Sequence, residues 1–137
     1  MEKHWLAIGI FENWFTSVRI PAPIWGLKPK YKKQYETINV NDLIWIYVTD
    51  PVVGVVGLGK PTGSFVDYKT LVWPEEKEKK KVIWPLRFSL DVLHIIPTDN
   101  WHTDRIDIRD FDLNWQTGFQ NLQKQHIDEL VKRTNWV

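Results

Sequence analysis

The chain has 137 residues, 43% of them hydrophobic, and a formal net charge of +1. That length suits a single domain over residues 1–137 with enough apolar side chains for a real core. The small charge excludes a strongly basic nucleic-acid coat. The absence of cysteine excludes a disulfide framework, a thiol nucleophile and a cysteine-based zinc site. No apolar run approaches the roughly 20 residues that span a bilayer.

His4 to Phe11 (HWLAIGIF) is rich in strand formers and reads as a central first strand. Asn13 is placed to cap a short helix from Trp14 to about Val18, or to meet a base edge from the strand's end. Pro21 and Pro23 stop any helix and deliver the chain to Trp25. After Pro29, residues Lys30 to Glu36 fit one or two helical turns that put Tyr31 and Tyr35 on one face.

Leu43 to Val48 (LIWIYV) is an unbroken run of strand formers, as in a strand buried on both faces of a barrel. Val52 to Lys60 reads as its hairpin partner. Gly54, Gly57 and Gly59 there predict sharp curvature or close backbone approach. Ser64 to Trp73 carries no clear period. Glu75 to Lys81 (EEKEKKK) reads as a solvated loop or hairpin tip.

Leu86 to Val92 alternates apolar and polar residues, a half-buried strand with Arg87 on the polar side, and Leu93–Ile96 breaks the alternation as a bulge would. His94 reads as a packed residue. Trp101 to Phe111 fits an edge strand, and Phe119 to Thr134 has the apolar spacing of one long terminal helix. Five or six short strands with little helix before the end point to an α+β fold: a small β-barrel with packed helices.

The residues with chemistry to offer are aromatic and cationic. There are nine tryptophans, more than packing requires in a domain this size. Trp25-Gly26 is followed by Lys28, Lys30, Lys32 and Lys33, and no acid occurs from Trp14 to Tyr35. Trp73 and Trp84 bracket the second lysine run. An aromatic plane beside a cationic strip suits a stacked base and its phosphates. The expected site therefore takes Trp25, Trp73, Trp84, Asn13 and Gly26 around a nucleobase, with Lys28, Lys30, Lys32 and Lys33 on phosphates. On this reading Trp25→Ala costs binding rather than stability. The alternative is that the tryptophans are core or interface and the lysines solvated surface.

His102 with Asp104 and Asp107 is the one local cluster of metal-ligating types, and acid-rich turns of this kind are usually solvated. No serine nucleophile elbow or zinc-binding histidine spacing is present. The expectation is a non-enzymatic, monomeric binding protein without metal or cofactor. The polar start, Met1 to Trp5, makes a cytoplasmic location the default.

The order Trp25-Gly26, Asn41–Val48, Val55–Gly59, Val66-Asp67 and Trp84–Leu90 resembles the EVE domain family of the PUA-like superfamily, related to YTH domains. It is similar to the small stand-alone archaeal and bacterial members. The resemblance covers roughly residues 4–97. It implies a PUA-like mixed β-barrel with flanking short helices and an aromatic pocket for a modified cytosine or methyladenine in DNA or RNA. Trp25, Trp73 and Trp84 match the aromatic positions of that pocket, and Asn13 its polar residue. The chain departs from the pattern at Asn41-Asp42, where the family has Gly-Asp, and at Gly9-Ile10-Phe11, where polar residues usually follow the first strand. A weaker alternative is a small nucleoside amidohydrolase of the related ASCH type, which needs a lysine–acid pair such as Lys28 with Asp50 in the pocket.

Overall fold

A computed structural model describes residues 2–137. Its strands are β1 (His4–Gly9), β2 (Ile24–Leu27), β3 (Leu43–Val48), β4 (Gly54–Val66), β5 (Leu86–Ile95) and β6 (Phe119–Asn121). The helices are α1 (Phe11–Arg19), α2 (Lys32–Tyr35), α3 (Pro74–Lys79), α4 (Trp101–Asp104) and α5 (Lys124–Thr134). The strands form one curled half-barrel sheet in the order β2-β5-β4-β3-β1-β6. Only β1 and β3 run parallel; they lie side by side from His4–Leu43 to Gly9–Val48. The other neighbours are antiparallel.

Strand β3 is buried at every position. Its alternate side chains serve two cores: Ile44, Ile46 and Val48 pack with Trp5, Trp25 and Phe88, while Leu43, Trp45 and Tyr47 pack with Leu58, Phe111 and Leu130. Such two-sided burial is why the run carries no polar residue. Curvature comes from β4, whose pairing with β5 shifts register at Leu58/Gly59 and again at Pro61/Gly63. A Cβ on Gly57 would stand 2.8 Å from the His94 carbonyl oxygen, so only glycine admits this approach.

Several local readings yield to tertiary contacts. Helix α1 begins at Phe11, so Asn13 is inside the helix and Ile10 holds the capping position. Trp25-Gly26 lies in edge strand β2, paired with Phe88 and Arg87 of β5. Ser64, Phe65 and Val66 extend β4. The segment after Trp101 is a helical turn and then loop, touching the sheet through a single bridge between Val55 and Ile106. Phe119 starts β6, opposite Ala7, because its ring stacks on Trp5 at 4.7 Å; the terminal helix begins only at Lys124. His94 is exposed and stacks on Trp136 at 5.6 Å. Among the described residues, no helix is long and apolar enough to cross a membrane.

The expected charged loop is helix α3, and it hides the most consequential ion pair in the protein. Glu76 and Arg87 are both 0% exposed. The Glu76 carboxylate accepts N–H bonds from Val72 and Ile83 at 2.9 Å each and from Trp84 at 3.1 Å, and it meets Arg87 Nη2 at 3.2 Å. Arg87 also donates to the carbonyls of Trp84 and Thr70 and pairs with Asp67 at 3.4 Å. Burying two charges is tolerable only with such complete satisfaction. The result fastens both ends of the α3 segment to β5.

Candidate ligand pocket

Parallel strands β1 and β3 end together, and a cavity of about 330 Å³ opens beyond them between α1, β2 and α3. Its lining includes Gly9, Gly26 and Gly118. Its walls include Trp25, Trp84 and Tyr31; Asn13, Lys28, Lys30 and Glu75 supply the polar groups.

Four tryptophans pack in series here, of which Trp25 and Trp84 line the cavity. Trp14 and Trp25 lie face to face, 3.6 Å apart at 1°. Trp73 meets Trp25 edge-on at 6.0 Å, and Trp84 meets Trp73 edge-on at 5.8 Å. Edge-to-face contacts place the positive ring edge on the negative face. Trp25 is 4% exposed and Trp73 1% exposed. The Trp73 indole N–H donates to the buried Ser17 Oγ at 2.9 Å. Trp84 is half-buried, with its backbone N–H held by Glu76. Two glycines permit this packing: a Cβ on Gly9 would stand 2.4 Å from the Trp25 ring, and one on Gly26 would stand 2.7 Å from both the Trp73 ring and the Trp84 carbonyl.

Asn13 is buried at the cavity wall, and its Oδ1 has no hydrogen-bond partner. An orphaned buried acceptor of this kind costs about 1–3 kcal/mol. The neighbouring Trp14 Nε1 is also buried and unpartnered. Across the cavity, the Tyr31 hydroxyl oxygen accepts the Gly118 N–H at 2.6 Å and contacts Thr117 Oγ1 at 3.3 Å. Burial raises the Tyr31 pKa, but these bonds and the charges of Lys30 and Lys28 hold it below the ordinary phenol value. Lys28 and Lys30 are exposed at the rim, and neither is in an ion pair among the described residues. Glu75 faces them, its carboxyl kept below its usual range by Lys79 at 2.7 Å.

Of the residues expected from sequence, Asn13, Trp25, Gly26, Lys28, Lys30 and Trp84 meet at this cavity. Trp73 does not line it: it is a buried support behind Trp25 and Trp84, packed over Gly26. Lys32 and Lys33 also lie elsewhere, because α2 turns them away; Lys33 borders a separate shallow groove beside Trp5 and Phe119. Asp50 does not join Lys28; it lines a neighbouring cavity. His102, Asp104 and Asp107 do not form a three-ligand metal group. Sequence reasoning missed Tyr31, Glu75, Gly9 and Trp14. Of these only Gly9 carried a signal, as part of the departure from the family pattern at Gly9-Ile10-Phe11.

No protein-family model matches the sequence, and no curated protein matches it. Solved structures do. Protein Atu2648 of Agrobacterium tumefaciens superposes with a TM-score of 0.61 at 11% identity, over 95% of this chain and 91% of that one. A mutant of the ZmASCH protein of Zymomonas mobilis gives 0.58 at 17% identity, over 96% of each chain. Rpa0253 of Rhodopseudomonas palustris gives 0.59 at 8% identity, over 98% and 94%. At such identities the likeness is one of fold. The chain shares with them the fold of a small curled half-barrel with short helices, α+β in class as expected.

Proposed function

We propose that this protein is a non-enzymatic nucleic-acid-binding module, related to EVE domains, whose pocket takes one modified or flipped-out nucleobase of DNA or RNA. The observation that carries the reading is a cavity walled by the Trp25 and Trp84 indoles, lined by Asn13 and rimmed by Lys28 and Lys30, neither of them in an ion pair among the described residues. Asn13 in the lining is the group that would meet the base edge, and a side-chain amide suits the amino and ring-nitrogen groups that cytosine and adenine carry in both plain and methylated form. Trp84 and the accessible edge of Trp25 offer aromatic contact, and stacking contributes about 1–3 kcal/mol per base. Each methyl carbon buried against the indoles adds roughly 0.8 kcal/mol. Lys28 and Lys30 at the rim would meet the flanking phosphates, while Gly26 serves the wall by admitting Trp73 and Trp84 against the backbone.

A binding role over a catalytic one is supported by the acid content of the cavity. Glu75 is its one carboxylate among the described residues, and it is committed to Lys79. Lys28 acts on Glu75 only through its charge, with no hydrogen bond between them.

The test is a tryptophan-fluorescence titration with short single strands of DNA and RNA, plain or carrying 5-methylcytosine, 5-hydroxymethylcytosine or N6-methyladenine. Saturable quenching that prefers one modified base, absent in Trp84→Ala, is expected. Weak salt-sensitive binding without base preference refutes the pocket and leaves only a charged surface. Recovery of the oligonucleotide with altered mass would replace binding by catalysis.

A further inference from the structure

A second cavity, of about 460 Å³, adjoins the first and shares two wall residues with it, Ile8 and Thr49. The ridge between them is thus the common end of β1 and β3. Beyond that ridge stands Trp115, which at 38% exposure is the one exposed tryptophan among the described residues. Its ring is backed by Tyr47, 5.2 Å away at 45°. Arg109 stands beside it. Asp107 grips the Arg109 Nε and Nη2, leaving Nη1 without a protein partner among the described residues. The turn that closes this cavity carries Val53 at φ 57°, a left-handed conformation that a β-branched residue adopts only under strain.

A chain leaving the first cavity has another way out, and charge closes it to a polyanion. That hollow shares Ile10, Asn13 and Glu75 with the first cavity and is lined further by Glu12 and Glu78, with Lys79 already paired to Glu75. The Trp115 side has Asp50 and Asp107 against Arg109 and Arg105, so it is balanced rather than acidic.

We propose that the Trp115 cavity is a second subsite, which stacks the base next to the one in the main pocket and meets the intervening phosphate through Arg109. The ligand is then a single strand of at least two nucleotides, not a free nucleoside. This rests on the base-pocket reading above. An exposed indole backed by a second ring is the platform that single-strand binders use, and it needs no particular base.

The experiment is calorimetric titration of the full chain with two kinds of probe. One is the nucleosides 5-methyl-2′-deoxycytidine and N6-methyladenosine. The other is pentamers, DNA and RNA, with each of these bases central between thymidines or uridines. The pentamer with the preferred base should bind at least tenfold tighter than its nucleoside. Trp115→Ala should weaken that pentamer by roughly 5- to 150-fold and leave the nucleoside within about twofold. Arg109→Ala should weaken it less and reduce its salt slope by about 0.7. A nucleoside that binds as tightly as its pentamer overturns the subsite alone. So does Trp115→Ala weakening both probes alike, which makes Trp115 a structural residue. Native protein that binds none of the probes overturns the base pocket and the subsite together.

Discussion

Glu76→Gln tests how the pocket wall is held. The substitution keeps shape and removes charge. Its amide oxygen can still accept N–H bonds, but its NH2 must face donors where the carboxylate faces Ile83 N–H at 2.9 Å and Trp84 N–H at 3.1 Å. Arg87, 0% exposed, would keep Asp67 at 3.4 Å and two carbonyls. Breaking a buried pair costs about 3–5 kcal/mol, and the remaining partners of Arg87 place the loss near the lower end, about 3 kcal/mol. In a domain of this size that lowers Tm by on the order of 10 °C. Thermal and urea unfolding followed by circular dichroism measure it. The double variant Glu76→Gln/Arg87→Met should lose less than the sum of the singles, with a coupling of about 1–3 kcal/mol. A loss under about 1 kcal/mol, or strict additivity, would refute the account of the pair as the fastening of α3 to β5.

The tryptophan series should divide by burial: Trp73→Ala costs about 3–5 kcal/mol of stability, Trp25→Ala is destabilising too because that ring is core, and Trp84→Ala removes base binding at smaller cost; urea midpoints beside titrations separate the three. Gly9→Ala forces a methyl to within 2.4 Å of the Trp25 ring, so it should cost about 1–3 kcal/mol and weaken the exciton signal of the stacked Trp14–Trp25 pair in circular dichroism. Lys28→Ala/Lys30→Ala should reduce the salt slope of oligonucleotide binding by about 1.4, at roughly 0.7 per phosphate contact, while Lys32→Ala/Lys33→Ala changes it little. His4 is buried with Nδ1 accepting the Trp45 indole N–H at 3.0 Å, and burial lowers its pKa below 6.5 despite the opposing pull of Glu2. The unfolded chain then takes up the proton first, so stability is full above about pH 6.5 and falls as pH drops below it. His4→Gln should flatten urea midpoints between pH 7.5 and 5.5.

Local pattern carried far in this chain. Six consecutive strand formers, Leu43 to Val48, can satisfy a strand only if both faces are buried, and they are. The alternation from Leu86 places Phe88 and Leu90 in the core. Asn13, Trp25-Gly26, Lys28 and Lys30 reach one cavity because the first turn of α1 and the short strand β2 with the residues after it border its opening. Pattern failed where a residue's fate depended on partners remote in sequence. Phe119 has the right spacing for the terminal helix, yet Ala7 and Trp5 draw it into the sheet. Trp73, bracketing a charge run, reads as a pocket wall, but Ser17, 56 positions away, takes its N–H inside the core.

What the sequence by itself determined is the periodicity of the main strands and the choice of aromatic and cationic chemistry, because both are properties of neighbouring residues. What only the tertiary structure decided is which charges and rings are buried. Glu76 sits in a run that water would solvate at little cost; it is interior because Arg87 and four backbone N–H groups converge on it, and no local pattern records that convergence.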